Sequence, residues 1–288
     1  MPIVVTGLHH SYKKGTPFEK KVLHDLSLQI NDGEFVGIIG PTQSGKTTLA
    51  QHFNALYIPQ QGTVVVNGCD TTNKKADLVN LRHQVGYVFQ NPDYQLFAST
   101  VGADIAFGPH NQKLSSGEIK IRVREAMDQV GLDYDSFYKR DIFALSGGQK
   151  RRAAIAGVLA CRPQILILDD ITAGLDPQGR EEIRAVIQKL HREHKITIIF
   201  ISNSMDEVAE LAERIIVIEQ GRILIDGATR EIFSQSEKLY SIGLELPEVM
   251  VIANRLRENG YRLPSTVLNL EEAIDSIATA LDERQVAE

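Results

Sequence analysis

Between residues 22 and 30 apolar and polar positions alternate, with Val22, Leu23, Leu26, Leu28 and Ile30 on the apolar side. The Asn31-Asp32-Gly33 turn then leads into the unbroken apolar run Phe35-Val36-Gly37-Ile38-Ile39. This predicts a half-buried strand in a hairpin-like opening, followed by a strand buried on both faces. Similar runs predict strands at 62–66 and 85–89, and 3.6-residue periodicity predicts helices over 119–130 and 148–159. Further on the two signals alternate: strand 165–168, helix 179–191, strand 197–201, helix 205–211, strand 215–218. Such alternation means parallel strands joined by crossover helices. Around Gly227 the pattern changes, and Glu231-Ile232-Phe233 opens a segment with two predicted helices, 247–259 and 270–281. In the second, Leu270, Ala273, Ile274, Ile277 and Leu281 fall on one stripe, which either packs on its own core or forms a dimer contact. No internal repeat or low-complexity tract interrupts the chain.

With 288 residues and 43% hydrophobic content, the chain can bury one large core and a smaller appendage. A net charge of -6, with basic residues scattered among acids, disfavours nucleic acid as a partner. Cys69 and Cys161 lack metal or redox spacing and read as reduced structural thiols of a cytosolic protein. The first fifteen residues lack the charged start, apolar centre and cleavage site of an export signal. The longest apolar runs are strand-sized, far below the roughly 20 residues of a membrane helix, so any membrane role is expected to act through a partner.

Gly40-Pro41-Thr42-Gln43-Ser44-Gly45-Lys46-Thr47 matches G-x-x-x-x-G-K-[ST] between an apolar strand and a helix that begins near Thr48. Its backbone N–H groups and helix start suit phosphate, Lys46 supplies a cation near the terminal phosphates, and the Thr47 hydroxyl suits magnesium. The strand 165–168 ends in Asp169-Asp170, at the edge where parallel sheets present ligands. Asp169 is the expected magnesium holder. Leu145-Ser146-Gly147-Gly148-Gln149 precedes a helix and, taken alone, is explained by Ser146 as N-cap.

Phosphate loop, LSGGQ and aspartate strand, in this order, resemble the ABC ATPases over residues 1 to about 226. The resemblance implies an α/β fold: a P-loop core of mixed sheet and flanking helices, an antiparallel β subdomain and a helical subdomain at about 91–160. A small C-terminal helical domain at 227–288 follows. It also implies ATP and Mg2+ as cofactors, with Tyr12 stacking on adenine, Gln90 touching metal and attacking water, and Ala173-Gly174-Leu175-Asp176 crossing a dimer interface. In the family, two subunits face head to tail, and the Ser146-Gly147-Gly148-Gln149 segment caps the nucleotide on the partner's loop.

Three positions depart from that pattern. Asp170 stands where the family has glutamate, Asn203 where it has the phosphate-contacting histidine, and Gln43 where it commonly has glycine. A shorter carboxylate and an uncharged amide expose catalysis more than binding. Either both work after small shifts, or this chain is the weaker half of an asymmetric pair. Residues 89–101 and 104–109 resemble energy-coupling factor (ECF) transporter ATPases, and the C-terminal annex is similar to theirs. That likeness implies uptake of a vitamin or transition-metal ion. It also implies a second ATPase subunit, a transmembrane coupling subunit docked beside Gln90, a membrane substrate-capture subunit, and a place on the cytoplasmic face of the membrane. Three other readings stay open: the ATPase of another ABC importer, since the segment around residues 89–101 is also explained as a loop and helix start shared by many of them; a soluble ABC protein acting on nucleic acid, which usually carries two motif sets or a coiled coil; and a non-hydrolysing regulatory subunit.

Overall fold

The computed structural model describes residues 3–287. Its strands are β1 (Ile3–Tyr12), β2 (Lys20–Ile30), β3 (Phe35–Ile39), β4 (Gln61–Val66), β5 (Cys69–Asp70), β6 (Val85–Val88), β7 (Ile165–Asp169), β8 (Thr197–Ile201), β9 (Arg214–Glu219) and β10 (Arg222–Ala228). They form an antiparallel sheet in the order β2-β1-β4-β5 and a six-stranded sheet in the order β10-β9-β3-β8-β7-β6. In the second sheet β9, β3, β8, β7 and β6 run parallel and β10 pairs antiparallel at the edge.

Alternation along these strands decides which core each side chain enters. Ile165, Ile167, Ile199, Ile201, Ile216 and Ile218 face the antiparallel sheet and α1 (Lys46–Phe53). Leu166, Leu168, Ile198, Phe200, Ile215 and Val217 enter the other core. There they meet helices including α3 (Val101–Asn111), α4 (Ser116–Gln129), α6 (Gly147–Leu159), α7 (Pro177–His194) and α8 (Met205–Leu211). α2 (Leu78–Gln84) packs Leu81 into the core under the antiparallel sheet, and α5 (Tyr134–Phe137) packs against the other core. Because both faces are covered, β3, β7 and β8 are buried at every position, the reason they appear in the sequence as unbroken apolar runs.

The turn at 31–33 differs from expectation. It carries the chain from one sheet into the other, and the antiparallel partner of β2 is β1. At the other boundary β10 runs through residue 227, and the helices that follow are α9 (Thr229–Ser234), α10 (Ser236–Ser241), α11 (Glu248–Glu258) and α12 (Leu270–Ala287). Residues 1, 2 and 288, included in the expected domain bounds, lie outside the described residues. Leu244, Leu246 and Met250 join the large core, while Ala253, Val267 and Ala273 form a small one. α12 uses Ala273 and Ala280 as its buried edge and leaves Leu270, Ile274 and Leu281 67%, 58% and 45% exposed. Within one chain, therefore, the larger part of the expected apolar stripe is not packed on its own core.

Candidate functional site

The loop after β3 begins and ends so close to neighbouring strands that a side chain does not fit at Gly40 or Gly45. A Cβ on Gly40, at φ 152°, would stand 2.0 Å from the carbonyl oxygen of Ile218, and one on Gly45, at φ 110°, would stand 2.8 Å from Leu23. Gln43 also adopts a left-handed backbone, φ 65°, at a cost of about 1 kcal/mol relative to glycine; its Oε1 accepts from Lys20 Nζ at 3.0 Å. α1 starts directly after Gly45 with no side-chain cap, which leaves first-turn N–H groups for an anion. Lys46 is buried, and its Nζ donates to the carbonyls of Gly40 (2.7 Å) and Pro41 (3.0 Å). Burial lowers its pKa, and Asp170 and Asp169 push it back up. Ser44 Oγ is buried without a hydrogen-bond partner, a polar orphan that fits a loop built to receive an anion.

Both oxygens of Asp169 are engaged: Oδ1 accepts from Thr47 Oγ1 at 3.2 Å and Oδ2 from the Tyr87 hydroxyl at 2.6 Å. Burial raises the Asp169 pKa, opposed by the Tyr87 and Thr47 bonds. Burial, followed by the Asp169 charge, pushes the Tyr87 phenol far above its ordinary value, so it remains a proton donor. The 3.2 Å between Thr47 Oγ1 and Asp169 Oδ1 is close to the edge of about 3 Å in an octahedron with the short oxygen distances of magnesium. Among the described residues no group of three or more His, Cys, Asp or Glu gathers as a metal cage. That donor set suits an ion that borrows oxygens from phosphate.

Asp170, at φ 50°, accepts through one oxygen, Oδ2, from Gln90 Nε2 at 2.8 Å and Asn203 Nδ2 at 3.2 Å. Gln90 follows β6, Asp170 follows β7 and Asn203 follows β8, three neighbouring strands whose C-terminal ends share one edge beside the loop after β3. The Asn203 loop is fastened by buried Glu207, whose Oε2 accepts from Thr172 Oγ1 (2.6 Å) and Ser202 Oγ (3.1 Å).

Tyr12 closes β1 beside the same helix, its hydroxyl 2.8 Å from Thr48 Oγ1. With Lys20, Val22 and residues 43–48 it lines one cavity of about 230 Å³. Gly40, Pro41 and Thr42 line a second, of about 370 Å³, with Asn203 and the C-terminal segment around Leu244 to Leu246. Ser146 and Gln149 form a reciprocal cap at the start of α6: Gln149 N donates to Ser146 Oγ (3.3 Å) and Ser146 N to Gln149 Oε1 (3.1 Å). A Cβ on Gly147 or Gly148 would meet nothing within 4 Å, so the fold of this chain does not itself require glycine there. Both line a cavity of about 550 Å³ with Gly174, Leu175 and Asp176, and Asp176 caps α7 by accepting from Gly179 N at 2.8 Å. This cavity shares no lining residue with that of Lys46 and Tyr12. Within one chain the structure thus unites the loop, Asp169, Asp170, Gln90 and Asn203, and keeps Ser146–Gln149 and Asp176 apart from the Lys46 cavity.

Two residues here escaped sequence reasoning. Tyr87 read as one more apolar strand position, although a hydroxyl in a buried strand needs a partner. Arg151 fell inside the predicted helix 148–159 with no role assigned, yet it shares the buried face of α6 with Ala154 and Ile155. Its guanidinium donates to the carbonyls of Phe89, Gln90 and Ala173, tying the glutamine loop to the loop after β7.

A family model described as ABC transporter matches residues 23–173. The energy-coupling factor transporter ATP-binding protein EcfA2 of Symbiobacterium thermophilum is 47% identical, with 100% of this chain and 99% of that protein covered. The solved structure of cbiO1 from Clostridium perfringens, described as part of the ABC transporter complex cbiONQ, is 35% identical with a TM-score of 0.73, over 89% of this chain and 98% of that one. The ATP-binding cassette MJ0796, solved as a dimer in a post-hydrolysis state bound to ADP and Pi, is 28% identical with a TM-score of 0.71, over 79% of this chain and 99% of that one.

Proposed function

The chain belongs to the ABC transporter family of ATP-binding proteins, and from that premise we propose that it is the ATP-hydrolysing subunit of an energy-coupling factor importer. The observation that carries this reading is the convergence of Gln90 and Asn203 on one carboxylate oxygen of Asp170, next to the Thr47–Asp169 contact and Lys46. In this reading the N–H groups of residues 40–48 and Lys46 hold the phosphates of ATP, and Tyr12 takes the base. Thr47, Asp169 and Gln90 hold Mg2+, which neutralises phosphate charge when bound. Asp170 orients the water that adds to the terminal phosphorus as the bond to the bridging oxygen breaks, giving ADP and phosphate. Asn203 donates a hydrogen bond to that phosphate.

The second half of the site comes from another ATPase subunit. Ser146, Gly147, Gly148 and Gln149 present a helix start with unobstructed glycines, and with Asp176 they line a cavity separate from the chain's own phosphate loop. This is the arrangement expected of a cap for a partner's nucleotide. The short Asp170 and uncharged Asn203 favour a heterodimer in which this chain's own site turns over slowly and its cap serves the faster one. No described helix is long and apolar enough to cross a membrane. Attachment to the cytoplasmic face therefore runs through a transmembrane coupling subunit, with a separate membrane protein capturing the vitamin or metal ion.

Calorimetry with Mg-ATP tests the nucleotide reading: the chain binds, and Lys46→Ala weakens binding at least tenfold. Undiminished binding by the variant refutes it. Co-purification from detergent-solubilised membranes tests the assembly, and recovery of the chain without a second ATPase and a membrane protein refutes that part.

A further inference from the structure

We propose that Tyr87 is a positioning residue for the metal: it fixes the plane of the Asp169 carboxylate so that Oδ1, and not Oδ2, is offered at the nucleotide. β6 lies beside β7 in parallel register, with Tyr87 opposite Ile167. Alternation puts Ile167 and Asp169 on the same face of the sheet, where Tyr87 is also packed, so the phenol reaches two residues along to Asp169. Its hydroxyl donates to Oδ2 at 2.6 Å, and the ring is only 6% exposed, so water does not compete for this bond. Phe89 packs beside the ring, with centroids 4.7 Å apart, and prevents it from swinging away.

The terminal torsion of an aspartate is broad and roughly two-fold, so a single contact leaves the carboxylate free to rock. Here two contacts from opposite sides define it: Thr47 from α1 on Oδ1 and Tyr87 from β6 on Oδ2. Oxygen ligands held from behind by a hydrogen bond keep metal affinity that is otherwise lost by 10- to 100-fold, and the Tyr87 hydroxyl is the group that holds Oδ2.

This inference rests on the reading of Asp169 as a metal residue, and the experiment separates the two. Mn2+ binding is followed by electron paramagnetic resonance in the presence of a non-hydrolysable ATP analogue, alongside calorimetry of the analogue without metal. Wild type, Tyr87→Phe, Asp169→Asn and the double variant are compared. Tyr87→Phe is expected to weaken Mn2+ binding about tenfold while metal-free nucleotide affinity stays within about twofold. In the Asp169→Asn background, Tyr87→Phe is expected to add no further loss. Unchanged Mn2+ affinity in Tyr87→Phe, with a loss in Asp169→Asn, overturns the role of Tyr87 alone. Unchanged affinity in Asp169→Asn overturns the metal reading itself and this inference with it. Equal losses of metal-free and metal-dependent binding in Tyr87→Phe mark a packing role and also overturn the proposal. Thermal melting without ligand shows whether the phenylalanine variant is folded; if it is not, Tyr87→Met in the same two binding assays decides, with the same outcomes.

Discussion

Replacing Asp170 by glutamate and Asn203 by histidine is expected to raise the ATP turnover of the chain by roughly 10²–10³-fold. In the structure the Asp170 carboxylate is held back by two amides, Gln90 at 2.8 Å and Asn203 at 3.2 Å, both on Oδ2. One extra methylene advances the carboxylate by about 1.5 Å, and misplacement of a reacting group by about 1 Å costs roughly 10² in rate. That factor corresponds to about 2.7 kcal/mol of barrier. Exchanging a neutral amide donor for imidazolium roughly doubles the strength of a hydrogen bond to phosphate, a further gain of about 1 kcal/mol or about fivefold. Glutamate enters the left-handed region at position 170, φ 50°, less readily than aspartate, which offsets the gain by less than about 1 kcal/mol. Phosphate release is measured at saturating Mg-ATP for wild type, both single variants and the double, at protein concentrations where specific activity no longer changes. Wild-type turnover equal to that of the double variant would show that Asp170 already reaches the water, and the argument from side-chain length would be refuted.

Arg151→Met should cost about 3–5 kcal/mol in urea unfolding, because it strips a buried cation from the carbonyls of Phe89, Gln90 and Ala173; a loss below about 1 kcal/mol would contradict the tie between the two loops. Burial lowers the His52 pKa to about 4, opposed by its bond to the Thr48 carbonyl. Below its unfolded value of about 6.5 the unfolded chain takes up a proton that the folded chain refuses, so stability falls with pH by up to about 3 kcal/mol at about pH 4. His52→Phe removes that share, and identical urea midpoint shifts between about pH 7 and about pH 4 in both proteins would exclude it. Ile274→Asp, on a side chain 58% exposed, should weaken association of the chain with itself or its partner ATPase in sedimentation velocity while leaving the melting temperature unchanged; unaltered association would show that the α12 stripe is not a contact.

Legibility followed burial. β3, β7 and β8 are enclosed on both faces, so their sequences are apolar at nearly every step, whereas α8 was readable to its boundaries because Met205, Val208 and Ala209 recur at helical spacing. β1 was missed because its pairing with β2 shifts register between Val5 and Leu8, between Leu8 and His10 and between His10 and Ser11, which breaks the period of two that identifies a strand. β10 is an edge strand with no buried residue, and a hydrophobic pattern does not mark it. The loop between β3 and α1 was legible because its motif is contiguous. Tyr87 and Arg151 were not, because Asp169 lies 82 residues from Tyr87, and Phe89, Gln90 and Ala173 lie 62, 61 and 22 residues from Arg151, and they become neighbours only through strand order and helix packing. The departures at Gln43 and Asp170 were visible as identities alone; the structure adds that both stand in left-handed backbone, φ 65° and 50°. Conformations of this cost persist only where the surroundings over-determine them. Here Lys20 holds the side chain of Gln43, and Gln90 and Asn203 hold that of Asp170. Eight other described residues, Lys13, Asp25, Ala55, Asn67, Lys113, Arg162, Lys195 and Gln220, share the left-handed region, so the strain itself does not single out the site; what distinguishes Gln43 and Asp170 is their place in the loops after β3 and β7, where relaxing the backbone shifts groups beside Lys46 and Asp169.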